Sequence, residues 1–247
     1  MIIAMTAMTY SSGLILLISH HSTLNGDKEM QQGESRWEER LRKIAIVIGR
    51  LGLAYLFFAN IWWKMPPDFG CGAAFTFPVL NQEGKIDTSN SGGGLCYWVG
   101  LESAYAPRPR TVFIADLRSV GGPRLGLNIT PLAQLNALVI DNIIKPNLGV
   151  TGYLIWGAEV FIALSLFLGL LSRLGGLVAI GISAQLFVGL ANIPQPYEWE
   201  WSYGQMVLLA ILMVGLAPGR IWGLDVWLRR RFANAKGPLA RLVMAFT

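Results

Sequence analysis

Histidine and cysteine are almost missing from this chain of 247 residues, which has two of each, and that scarcity removes several chemistries at once. Cys71 and Cys96 stand too far apart for a Cys-x-x-Cys pair, and no His/Cys/carboxylate run has metal-ligand spacing. His20 and His21 are adjacent and lie outside every strong apolar segment. A haem held by imidazoles projecting into a helix bundle is therefore not expected. No glycine-rich phosphate loop is present. Charge is scarce as well, at 14% of residues. The net charge is +5, but the basic residues flank apolar segments instead of forming a basic face, which excludes nucleic acid as the expected partner.

What the chain has in quantity is hydrophobic sequence, 53% of residues, with a positive mean hydropathy. The expected class is all-α, a polytopic four-helix membrane bundle whose first partner is membrane lipid. The spans read as residues 44–63, 153–171, 174–191 and 201–217, each about as long as a bilayer core requires except the last, which is marginal. Within 174–191, Gly175, Ala179 and Ser183 form a small-residue ridge suited to close helix packing. Residues 1–43 read as an N-terminal extension followed by a charged cytoplasmic helix. Met1 to Ser19 lacks the basic start of a secretory signal and reads as an extension or a surface-lying segment. Glu38 and Glu39 precede Arg42 and Lys43 by four residues, which supports an exposed helix leading into the first span.

Residues 64–151 form a long connection, broken by Pro66-Pro67, Gly92-Gly93-Gly94 and Pro107. Near its end Leu132, Leu135, Val139 and Ile143 recur at helical spacing, which predicts an amphipathic helix on the membrane surface, stopped by Pro146. Lysine and arginine cluster before the first span and after the last, in a basic tail over 218–247, and the short link near Arg173 carries one more. The loop over 192–202 has none. By the positive-inside rule both termini are cytoplasmic and the 64–151 connection is extracytoplasmic. The expected setting is a bacterial inner (plasma) membrane. A Cys71–Cys96 disulfide is permitted on that side, and their wide spacing favours a structural bond over a redox-active dithiol.

Candidate chemistry rests on ionisable residues at membrane depth. Glu159 is the one acid within 153–171, and such a carboxylate requires a partner or water. Arg50 lies in the first span and Lys64 at its end, and both are candidate partners. Arg50 is also close enough to its own end of the span to snorkel to the surface. The group reads either as a structural ion pair or as a polar pocket that binds a ligand or relays a proton. Tyr197, Trp199, Trp201 and Tyr203 read as an interfacial aromatic belt in preference to a quinone-stacking box.

The stretches RLGLAYLFFANIWWKMPPDFG, KPNLGVTGYLIWGAEVFIALSLFLGLLSRLGGLVA and EWEWSYGQMVLLAILMVGLAPGRIWGLDVWLRRR resemble the DoxX/DoxD family of four-helix membrane proteins, over roughly residues 44–231. The matching positions are Arg50, Gly52, Lys64, Glu159, Arg173 and the exit from Pro218-Gly219-Arg220 to Leu224-Asp225. The resemblance implies a membrane subunit like the small subunit of thiosulfate:quinone oxidoreductase. It brings quinone as the implied non-covalent cofactor and a companion protein subunit as the implied partner. Two readings stay open: a quinone-linked redox subunit, and a non-catalytic accessory or scaffold subunit of a larger complex.

Overall fold

The computed structural model describes residues 36–247 apart from 82, 84, 89–91, 195 and 236. The expectations for residues 1–25 and for both histidines lie outside the described residues. The described residues are mostly helical, 67%.

Helix α1 spans Arg36–Ile61 and runs into one tight turn, Trp62–Lys64. The charged surface helix and the first apolar span are thus one continuous helix, opened by Glu38 and Glu39, which suit a helix N-terminus. Its buried residues past the first turns are Arg50, Leu53, Ala54, Phe57, Ile61 and then Lys64, a stripe at intervals of three and four. At 1.5 Å per residue the two cations that begin and end this stripe are about 21 Å apart along the axis.

The connection after Lys64 is more organised than its glycines and prolines suggest. It holds the antiparallel pair β1 (Val79–Leu80) and β2 (Ile86–Asp87), helix α2 (Leu95–Tyr105), and a second hairpin, β3 (Thr111–Asp116) with β4 (Arg124–Asn128). Val112 pairs with Leu127 and Asp116 with Arg124, with an irregularity between Val112 and Ala115 where Phe113 takes a positive φ. Helix α3 (Thr130–Val139) does not stop at Pro146. It passes through a wide turn, Ile140–Ile144, and a tight one, Lys145–Asn147, straight into α4 (Leu148–Leu168). Proline breaks a regular α-helix, and the two changes of pitch absorb it without ending the rod.

Gly169, in the left-handed conformation, ends α4. Helix α5 (Ser172–Leu190) follows, so Ser172 and Arg173 form its first turn and the link is Gly169 to Leu171. Helix α6 (Glu200–Leu216), α7 (Asp225–Phe232) and α8 (Pro238–Phe246) complete the chain. Among the described residues three stretches are long and apolar enough to cross a membrane: Arg36–Lys64, Thr130–Leu168 and Ser172–Leu190. Glu200–Leu216 is a shorter apolar helix.

One buried cluster joins Leu53 and Phe57 of α1, Ile162 and Leu166 of α4, Ala179 of α5, and Ala210 and Met213 of α6. Outside it, large apolar side chains are exposed, among them Ile48, Tyr55, Leu154, Leu164, Leu208 and Leu212, an arrangement consistent with contact to lipid. The small ridge of α5 is buried at Gly175, Ala179 and Ser183. Beside it, a Cβ at Gly176 would stand 3.0 Å from Val214 Cγ2 and 3.2 Å from the Ala210 carbonyl. α5 and α6 therefore pack at glycine distance there. A Gly176→Val substitution is expected to cost about 1–3 kcal/mol of stability by overpacking. In contrast, Gly181→Ala, where a Cβ meets nothing within 4 Å, leaves the thermal midpoint of the detergent-purified protein unlowered.

Candidate functional site

Glu159 shares the buried face of α4 with Ile162, Ala163 and Leu166, so helical spacing turns it away from the exposed side. Lys64, at the end of the α1 stripe, meets it. Lys64 Nζ donates to Glu159 Oε1 at 2.5 Å, and the two side chains are only 7% and 3% exposed. The ammonium also lies 4.6 Å from the centre of the Trp63 ring, a cation–π contact that adds to its stabilisation. A charge pair removed from water this far depends on each partner being present.

The pair lines a cavity of about 400 Å³, a size that admits a small organic ligand. Its wall is mainly apolar, with Leu95, Val99, Ile140, Ile155, Ile182 and Leu186, and it carries Trp63, Trp98 and Tyr203 as aromatic surface. Polar groups reach it from several elements: Asn60 from α1, Glu102 from α2, Gln185 from α5, Glu198 from the loop before α6, and Tyr203 from α6. Segment 64–151 is therefore part of the cavity and not merely a connection over it.

Glu102 is the second buried carboxylate, 3% exposed. Its Oε2 accepts from Asn136 Nδ2 at 2.7 Å and from the Gln185 amide. A side chain at position 189 would run into the Glu102 carboxylate, so Gly189 leaves the space it fills. Arg110 stands near, but its Nη1 donates to the Val188 and Gly189 carbonyls at 2.9 and 2.7 Å. It thereby satisfies carbonyls at the end of α5 that no helical N–H reaches. Burial pushes the Glu102 carboxyl up to about 8, against the opposing pull of Asn136, Arg110 and Gln185. Burial likewise lowers Arg110 to about 10.

Arg50 is not in this site. Its buried guanidinium donates to the backbone carbonyls of Pro218 and Ile221, both at 3.1 Å, and of Trp222 at 3.4 Å. Around it, Asp225 accepts from the Leu171 and Ser172 amides at 2.6 and 3.1 Å and from the Ser172 hydroxyl at 2.6 Å. Asp225 N donates to the Gly169 carbonyl at 2.8 Å, and Gly219 N to the Ser172 hydroxyl at 3.0 Å. These contacts clasp the exit of α6 to the α4–α5 turn. The expectation that Arg50, Lys64 and Glu159 share one polar pocket is corrected accordingly: α1 carries the two cations to opposite ends of its buried stripe.

Cys71 and Cys96 are joined in a disulfide, which ties the segment after α1 to the first turn of α2 beside the cavity residues Leu95 and Val99. Of the four belt aromatics, Tyr197, Trp199 and Trp201 are exposed, while Tyr203 turns inward and donates to Glu198 at 2.9 Å. Sequence reasoning missed Glu102, Gln185, Glu198 and Trp98. The signal for Glu102 was present, since LCYWVGLESAY holds one acid in an apolar run just as the Glu159 segment does. The glycines before it and Pro107 after it make the stretch read as loop.

Compared with known proteins, the chain matches no family model, no curated protein and no solved structure.

Two outcomes follow from the charges. Lys64→Met leaves Glu159 buried without its cation and is expected to cost about 3–5 kcal/mol, with most of the loss recovered in the Lys64→Met/Glu159→Met double variant, both read as thermal unfolding in detergent. Glu102 binds its proton more tightly folded than unfolded, so the folded state holds more protons between roughly pH 4.5 and 8. Stability is expected to fall as pH rises through that window and then level, and Glu102→Gln should flatten the melting-point profile over it.

Proposed function

We propose that this protein is a quinone-linked redox subunit of the DoxX/DoxD type, with α1, α4, α5 and α6 as four membrane spans, both ends cytoplasmic, and the cavity on the outer side. The observation that carries the reading is the Lys64–Glu159 pair set in the wall of an otherwise mainly apolar cavity of about 400 Å³. An apolar, aromatic-walled chamber suits a quinone ring, and a carboxylate beside it is a group able to carry a proton to or from the ring oxygen. Lys64 holds that carboxylate in place and balances its charge. Reduction of a quinone takes two electrons and two protons; in the reading adopted here the electrons come from thiosulfate or a related sulfur compound. With Arg50 elsewhere, the described residues of the cavity carry one cation, Lys64, against the carboxylates of Glu159 and Glu198 and the Glu102 carboxyl, which burial pushes up to about 8; that lining does not suit an anionic donor. Donor oxidation therefore belongs to a companion subunit.

A second reading, a non-catalytic accessory subunit, draws on the β3–β4 hairpin. Val120, Leu125 and Leu127 are exposed there, beside Arg118 and Arg124, as on a surface that docks a partner. The two readings separate on the protein purified with whatever accompanies it. Thiosulfate-dependent quinone reduction that drops by about 10²-fold or more in Glu159→Gln supports the redox reading. Turnover unchanged in that variant removes Glu159 from the mechanism, and a stoichiometric partner without quinone reduction favours the accessory role.

A further inference from the structure

Side-chain charge over residues 218–247 is almost all of one sign. The segment holds six basic residues and one acid, Asp225, which is buried and taken up by the Leu171 and Ser172 amides and the Ser172 hydroxyl. Both of its helices are held against the ends of apolar helices. Asp225 N bonds to the carbonyl of Gly169, where α4 ends. At α8, Arg173 from the first turn of α5 donates to the Ala245 carbonyl at 3.4 Å, and Arg220, just past α6, donates to the Thr247 main-chain oxygen at 2.7 Å. Positive charge is dense there: burial, and then repulsion from Arg229 and Arg173, lowers Arg220 below the usual arginine value. On α7, helical spacing puts Trp227, Arg230 and Arg231 on one face with Leu224 just before it, and all four are exposed. α8 leaves Leu239 and Leu242 exposed three residues apart, and Trp222 and Trp227 are 70% and 63% exposed.

Resting on the membrane-spanning reading above, we propose that α7 and α8 form a platform at the bilayer surface that binds anionic phospholipid headgroups. Tryptophan settles at the boundary between headgroup and acyl chain, and a guanidinium beside it takes a phosphate by two parallel N–H bonds. Each basic residue next to the end of a span adds to the attraction for anionic lipid. Arg230 and Arg231 make no hydrogen bond or ion pair to the protein among the described residues, so both guanidiniums are open to a phosphate. The apolar side chains decide between a lipid and a free anion. A phosphate ion would leave Trp222, Trp227, Leu239 and Leu242 in water, whereas a lipid covers them with its acyl chains while its phosphate meets the arginines.

The test titrates the detergent-purified protein with phospholipids brominated on their acyl chains, which quench the tryptophans they touch. Brominated phosphatidylglycerol is expected to bind at least about fivefold more tightly than brominated phosphatidylcholine, and the difference should fade as salt is raised to about 0.5 M. Trp222→Phe/Trp227→Phe should remove most of the extra quenching by phosphatidylglycerol, which locates the binding at this platform. Arg230→Gln/Arg231→Gln alters two exposed side chains and should bring the two lipids to equal affinity with the thermal midpoint unlowered. Equal affinities in the unaltered protein, or a preference that survives in the arginine variant, overturn the site while the membrane-spanning reading stands. A protein that alkaline carbonate strips from phosphatidylcholine vesicles defeats that reading and the platform with it.

Discussion

A lysine and a glutamate held together out of water set the terms for the rest of this structure. Desolvating either charge alone is far costlier than any packing gain at the same place, so α1 and α4 are fixed in the one register that brings Lys64 to Glu159. The apolar stripe Leu53, Phe57 and Ile61 leads up to the lysine, and Ile162 and Leu166 lead away from the glutamate. The pair thus stands where the shared core opens into the cavity, and the core is what keeps water from it.

The opposite end of the same core is fastened by a different device. Arg50 has no carboxylate within ion-pair distance among the described residues; it is solvated by carbonyls after α6, while Asp225 receives amide and hydroxyl protons from the α4–α5 turn. Charge met by oriented dipoles is a rigid arrangement, because each donor direction is prescribed by backbone. Lys64 and Glu159 thus stand at the cavity, and Arg50 with the 218–225 exit stands at the clasp.

Much of this was legible because membrane-length apolar runs and lone charges are local signals. The four apolar segments stand within a few residues of where the sequence placed them, apart from α1, whose charged start had been separated from its span. Glu159 was recognisable as a group needing a partner, and Lys64 was named as a candidate. The α2 acid Glu102 was not recognised, since its segment lies between Gly94 and Pro107 and reads as loop until its neighbours are known. Pro146 misled for a related reason: a proline predicts a helix end unless a change of pitch takes up the lost hydrogen bond, and that depends on packing.

By itself, then, the sequence determined the helical class, the apolar lengths and the presence of isolated charges, because each depends on residues near one another along the chain. Tertiary structure decided which charges meet. Arg50 and Lys64 occupy one face of one helix, equally eligible by spacing, and only the neighbours at each end separate them: carbonyls of the 218–222 turn for one, a carboxylate from α4 for the other. The cavity too belongs to tertiary structure alone, since Asn60, Glu102, Gln185 and the neighbouring Glu198 and Tyr203 come from four separate parts of the chain, and no periodicity links them.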